Sequence, residues 1–188
     1  GVSHGRLGDL DRAFGDFESA MRRYETQLSC FERAHAKQET KPRVQSLRDM
    51  SVARERLGTT AASLDRLAEA KLHFEIQLQI ARQIRTVLGD TAEALRDVSV
   101  SLGRLGDLAH ELGRRQISEA QRYYEQKLQI AKQTVTLTPD APEALRDLGI
   151  SVGRLGEISA ATLDLDTARV HFASMQQGVR QLRSRVGT

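Results

Sequence analysis

Gly103-Arg104-Leu105-Gly106-Asp107, GRLGD, lies inside a stretch with helical periodicity. Two glycines in so short a helical segment cost roughly 1 kcal/mol each relative to alanine. The phrase nevertheless recurs as GRLGD at residues 5–9, as GRLGE at residues 153–157, and in the poorer copy ERLGT at residues 55–59. A helix-weakening phrase written four times implies a packing need that offsets the penalty.

Aligned on the Leu of RLG, the copies fall at Leu7, Leu57, Leu105 and Leu155, spaced by 50, 48 and 50 residues. LRD stands ten residues earlier in three of them, at Leu47-Arg48-Asp49, Leu95-Arg96-Asp97 and Leu145-Arg146-Asp147. In the first copy LRD would fall before Gly1, so that unit reads as N-terminally truncated, starting in mid-helix and exposing an apolar edge. Downstream of the Leu, Ala20, Ala70 and Ala168 lie 13 positions on, and Tyr24, Phe74 and Phe172 lie 17 on. In the third copy Ala120 and Tyr124 are displaced by two residues, which places an insertion near Arg114-Arg115. Self-similarity at a fixed long period is the signature of a repeat architecture.

Within a copy the period is helical. Leu95, Val98, Leu102, Leu105, Ala109 and Leu112 step by three and four, and so do Ile117, Ala120, Tyr124, Leu128, Ala131 and Val135. Each set draws one apolar stripe down one helix, and Gly113 stands between them as a C-cap. Asp90 and Asp140, each three residues before a Glu (Glu93 and Glu143), are expected N-caps in a capping-box spacing, with Pro142 in the first turn. Thr40-Lys41-Pro42 is the corresponding start signal of the second unit. The expected organisation is a single array over residues 1–188, with units of about 1–39, 40–89, 90–139 and 140–188. Each unit is an antiparallel helical hairpin that cannot bury its faces alone, so the fold class is an all-α solenoid of four stacked hairpins.

Leu-Gly, an Ala 12 residues after that Gly, and an aromatic four further on resemble the tetratricopeptide repeat. The residues carrying the resemblance are Leu7, Gly8, Ala20 and Tyr24; Leu57, Gly58, Ala70 and Phe74; Leu105, Gly106, Ala120 and Tyr124; and Leu155, Gly156, Ala168 and Phe172. The chain departs from the family in its longer period. It departs again three residues before the Leu, where the family's large aromatic is His4, Arg54, Leu102 or Val152. The resemblance implies a right-handed superhelix whose concave groove is lined by the first helix of each unit and receives a peptide or helix of a partner. It implies that Gly8, Gly58, Gly106 and Gly156 sit where paired helices come closest. Gly5, Gly103 and Gly153 are not a usual requirement of the family.

For the charges, two readings compete. Arg6, Arg56, Arg104 and Arg154, with Asp9, Thr59, Asp107 and Glu157 three residues on, and the second ladder Arg48, Arg96 and Arg146, could offer groove rungs to a partner's carboxylates. They could equally form ion pairs that solvate and register the stack. Repetition in every unit favours the second reading, because structural needs repeat while ligand contacts differ between units. The small pairs Ser99/Gly103 and Gly149/Gly153 likewise permit close helix packing or close approach of a ligand, with packing favoured.

Composition narrows the function classes. The chain has 28 Lys+Arg against 25 Asp+Glu, interspersed, with no Trp and 4% aromatics. That is a set of solvated helix faces, not the clustered basic and aromatic surface of a nucleic-acid binder. No apolar run approaches the ~18 residues of a membrane span. His73 and His171 are repeat-equivalent and far apart along the chain, and no ligand-spaced cluster appears, so no metal is expected. Cys30 aligns with Ile80 and Ile130, a buried thiol rather than a nucleophile; as the only cysteine it fits a reducing, cytoplasmic compartment. GRLG lies within a helix and lacks the strands of an RNA-binding GxxG module. The reading is a protein-binding scaffold without catalysis or cofactor, for a separate protein or another domain of the same parent chain. The alternative is a regulatory segment of a larger signalling enzyme, protease-like or nucleotide-switch, a context implied by resemblance to bacterial multidomain proteins. Self-association through the array's ends is a third reading.

Overall fold

The computed structural model describes residues 2–36 and 44–186. The described residues form eight α-helices and no strand: α1 Val2–Ala13, α2 Phe17–Ala36, α3 Val44–Ser63, α4 Leu67–Leu88, α5 Ala92–Glu111, α6 Ile117–Leu137, α7 Pro142–Ala161 and α8 Leu165–Val186. The chain divides into two compact units, Gly1–Gly89 and Asp90–Thr188. In unit 1, α1 packs on α2 and α3 on α4, with α2 against α3; in unit 2 the same holds for α5 and α6, α7 and α8, and α6 against α7. The Thr40-Lys41-Pro42 start signal, and the side chains of Gln181, Arg183 and Arg185 in the polar terminal stretch, lie outside the described residues.

Hairpins one, two and four turn in three residues, with the middle one left-handed: Gly15 at φ 81°, Asp65 at 58° and Leu163 at 64°. Paired backbone bonds close each turn, Asp16 N to Asp11 O, Arg66 N to Ala61 O and Asp164 N to Ser159 O, as in a Schellman motif. Hairpin three needs five residues: Gly113 takes the left-handed position at φ 76° and opens a single 3-10 turn, Gly113–Arg115. The two-residue insertion is absorbed there, and the register of α6 is kept.

Two expected caps are corrected. The N-cap of α5 is Thr91, whose side chain accepts from Ala94 N at 3.3 Å, and not Asp90. At α7 the N-cap is Ala141, without a side-chain bond, and not Asp140. Pro142 at the first helical position holds the preceding residue extended, at φ −75° and ψ 115°, so the cap falls on Ala141.

Side-chain packing explains the recurrent Leu-Gly. Ala20, Ala70 and Ala120 are fully buried and Ala168 nearly so, with Leu57, Leu105 and Leu155 buried beside them; Leu7 is the exception, 41% exposed. A Cβ at Gly8, Gly58, Gly106 or Gly156 would lie 2.6, 2.5, 2.7 or 2.8 Å from the ring of Tyr24, Phe74, Tyr124 or Phe172. The aromatic of the second helix thus packs closely against the bare backbone of the first. Burying a ring in every hairpin offsets the helix penalty of one glycine. In unit 2 this layer joins both hairpins, through Ala109, Ala120, Tyr124, Leu155 and Ile158.

Candidate interaction cleft

In hairpins one and three the Asp of GRLGD is bound on two sides. Tyr24 Oη donates to Asp9 Oδ1 at 2.8 Å, and Tyr124 Oη to Asp107 Oδ1 at 2.6 Å. The next hairpin's first helix supplies the cation: Arg56 Nη2 donates to Asp9 Oδ2 at 2.8 Å, and Arg154 Nη2 lies 3.3 Å from Asp107 Oδ1. Arg56 also donates to Gln27 Oε1 and lies over the Tyr24 ring, 5.7 Å from its centroid; Arg154 instead pairs with Glu157 at 2.9 Å. Burial, then the carboxylate beside each phenol, pushes Tyr24 up to about 12 and raises Tyr124 in the same direction. Where the Asp is replaced, so is the Tyr: Thr59 goes with Phe74, and Glu157 with Phe172. A buried hydroxyl needs an acceptor and a phenyl ring does not. Asp, Tyr and the following Arg therefore act together as a tie between consecutive hairpins of one unit.

Beside each tie lies a cleft between the first helices of the two hairpins. In unit 2 it is about 160 Å³, walled by Val100, Gly103, Arg104 and Asp107 of α5, Tyr124 and Lys127 of α6, and Ile150 and Arg154 of α7. In unit 1 it is about 210 Å³, walled by Val2, Arg6, Gln27, Phe31, Asp49, Val52 and Arg56. The two match register by register: Val2 with Val100, Arg6 with Arg104, Gln27 with Lys127, Val52 with Ile150, and Arg56 with Arg154. On each rim the paired aliphatics stay exposed, Val2 and Val52 at 63% and 45%, Val100 and Ile150 at 37% and 46%.

The floors differ. Gln27, Gln77, Lys127 and Met175 occupy one register, three residues after the aromatic. Lys127 is 7% exposed, and its Nζ donates to Ser99 Oγ at 3.1 Å. Burial lowers its pKa, against the opposing pull of Asp147 and Asp107. Its chain crosses the α5 backbone alongside Gly103, where an added Cβ would meet it at an ordinary 3.7 Å. At Gly153 a Cβ would stand 2.8 Å from Met175 Sδ, and at Gly5 it would collide with Gln27. The first glycine of GRLG is thus a passage for this residue of the second helix. In hairpin two Glu55 stands in place of that glycine, and its neighbour Arg54 runs between Glu32, 2.9 Å away, and the buried His73, whose pKa is lowered by burial and then by Arg54.

Of the residues singled out in the sequence, Arg104, Asp107 and Arg154 converge on the unit 2 cleft, and Arg56 on its counterpart. Arg96 lines a different cleft, with Glu93, Glu143 and Asp147. Arg48 is half-buried on α3, Arg146 is exposed on α7, and Glu157 is held by Arg154. Lys127 and Gln27 were not anticipated. Their signal is a polar residue on a buried helical stripe, between Tyr124 and Leu128 in one case and Tyr24 and Leu28 in the other. No described helix is long and apolar enough to cross a membrane.

No protein-family model and no curated protein matches the chain. Among solved structures it is similar to the apo form of RapI at 11% identity and a TM-score of 0.69, over 95% of this chain and 55% of that one, so it spans about half of RapI. It is similar to the de novo designed helical repeat protein DHR64 at 17% identity and a TM-score of 0.56, over 96% and 93% of the two chains. BtubC from P. vanneervenii matches at 15% identity and 0.50, over 94% and 78%. These likenesses concern the fold, which is an all-α helical repeat.

Proposed function

We propose that the chain is a non-catalytic protein-interaction module that takes an extended or helical segment of a partner polypeptide on the clefts lined by the first helices. The observation that carries this reading is the duplication of one amphiphilic cleft. Each unit leaves two aliphatic side chains exposed on the rim, Val2 and Val52 or Val100 and Ile150, next to a pair of arginines. Exposed aliphatics clustered on a concave surface among cations fit a segment with both apolar and acidic side chains. In this reading Arg104 and Arg6 face the partner, while Arg56 and Arg154 chiefly hold the hairpins together. The partner is a separate protein or another domain of the parent chain, and the free Cys30 suits a cytoplasmic site of action.

Selection of short peptides from a displayed random library against the full chain tests the reading. Val100→Glu and Ile150→Glu are then compared with wild type by fluorescence anisotropy, with helicity checked by circular dichroism. Selected peptides should lose about tenfold or more in affinity with either variant at unchanged helicity, the size expected when an apolar anchor is displaced. Peptides that bind both variants as well as wild type would place the interaction elsewhere.

A further inference from the structure

The unit 2 cleft contains a charge that the fold does not require. The register three residues after the aromatic is filled by Gln27, Gln77 and Met175 in the other hairpins. Hairpins of the same construction therefore pack with a neutral side chain there. Lys127 alone places an ammonium group at this point, 7% exposed and hydrogen-bonded to a neutral hydroxyl, Ser99 Oγ, at 3.1 Å. Its nearest opposite charges are not matched to it. Asp107 is already bound by Tyr124 and Arg154. Asp147 belongs to the LRD phrase, and its counterpart Asp49 lines the unit 1 cleft together with Gln27, where no lysine stands at this register. Burial of an ammonium group is unfavourable unless it is well paired. A cost borne in one repeat and avoided in three is a mark of recognition and not of packing.

The surrounding geometry points the same way. Gly103 leaves room for a methyl group beside the Lys127 chain, an added Cβ making only ordinary contact there, whereas at Gly5 and Gly153 it would press on Gln27 and Met175. Arg104 and Arg154 stand on the walls of the same cleft. The volume of about 160 Å³ suits a small group rather than a ring system.

We propose that Lys127 is the anion-recognising residue of the cleft between α5 and α7, and that it takes the carboxylate of an acidic side chain on the partner polypeptide. The inference rests on the reading of the cleft as an interaction site and adds the chemical class of the bound side chain. It also assigns different preferences to the two clefts: the counterpart with Gln27 offers an amide and takes an uncharged polar group.

Lys127→Met and Lys127→Gln are the natural tests, since Met175 and Gln27 show that both residues fit this register. Peptides selected on the full-length wild-type chain should carry Asp or Glu. Their affinity should fall about tenfold or more in both variants, as loss of a charge-assisted hydrogen bond predicts, and Gln27→Met should leave that acidic preference intact. Equal affinity for wild type and Lys127→Met overturns the assignment to Lys127 while leaving the protein-binding reading in place. A second measurement is independent of any partner: the side-chain NMR signals of 13C-labelled lysines are followed during titration with glutarate and, separately, inorganic phosphate. A saturable shift of Lys127 with glutarate, absent from the other lysines, is expected. If no peptide is selected at all, the protein-binding reading falls and this titration alone decides the anion site. No Lys127 response, or a response to phosphate only, overturns the carboxylate.

Discussion

Unit 1 and unit 2 make the same tie and differ in what lies beneath it. Asp9, Tyr24 and Arg56 in one, and Asp107, Tyr124 and Arg154 in the other, hold consecutive hairpins through the same three kinds of side chain. Below the tie, Gln27 presses close over Gly5 and also accepts from Arg56, whereas Lys127 passes Gly103 at a looser distance on its way to Ser99. The repeated part is what stacking needs. The part that varies is not fixed by stacking, and that contrast separates what the architecture requires from what it leaves open.

The sharpest way to break the architecture is at the second glycine of the phrase, where all four hairpins agree. Gly106→Ala would put a Cβ 2.7 Å from Cε1 of Tyr124, inside a layer where Leu105, Ala109 and Ala120 leave no room to retreat. The expected loss is about 1–3 kcal/mol, read as a lowered urea midpoint or melting temperature. Gly58→Ala should cost a similar amount against Phe74. A variant as stable as wild type would show that the ring does not rest on the bare backbone.

The tie itself is the next test, and hairpin two supplies the design. Thr59 and Phe74 already stand where Asp and Tyr stand in hairpins one and three. Tyr124→Phe and Asp107→Thr should each destabilise, and the double variant should lose less than the sum. A coupling of about 0.5–1.5 kcal/mol is the size of one hydrogen bond to a carboxylate in a partly exposed setting. Additive losses would mean that the phenol and the carboxylate are neighbours without being partners.

The tie also predicts a pH dependence. The folded state raises the pKa of Tyr24 from its ordinary 10.0 to about 12, so it favours the protonated phenol. The stability linked to that preference is complete below pH 10.0 and is lost as pH rises towards about 12. Tyr124 is shifted in the same direction and adds to the effect. Urea midpoints measured across this alkaline range should fall more steeply for wild type than for the Tyr24→Phe, Tyr124→Phe double variant. Parallel slopes would exclude the two phenols as the cause.

How much of this was legible in the sequence follows from the same contrast. The helices, the pairing into hairpins and the glycine–aromatic register could be read because Leu, Gly, Ala and the ring recur at nearly fixed spacing in four copies. The co-substitution of Tyr with Asp, and of Phe with Thr or Glu, was equally present in the sequence, but its meaning needs the contact between Tyr Oη and the carboxylate. The caps at Asp90 and Asp140 misled because Thr91 and Pro142 compete for the same turn one residue further on, and local spacing does not rank such competitors. Lys127 is hidden in the sequence for a different reason: one of two lysines in a helix rich in charges looks solvated until the neighbouring helix covers it. Repetition makes the shared features visible and hides the exception.

The smallest predicted effect separates the two floors most directly. Gly103→Ala adds a methyl group whose nearest neighbours are atoms of the Lys127 chain at 3.7 Å, in ordinary contact. The gain in helix propensity, up to about 1 kcal/mol, then has nothing to oppose it, and the variant should be as stable as wild type or slightly more so. Gly153→Ala gains the same propensity but sets its Cβ 2.8 Å from Met175 Sδ, so the thioether has to shift and the net change should be near zero or unfavourable. Thermal denaturation of the two variants side by side therefore reads the sign of one methyl group at one register in two hairpins. Opposite signs would show that hairpin three alone leaves space beside its second helix, while equal destabilisation would show that Lys127 is as tightly packed as Met175 and that the groove over Gly103 is closed.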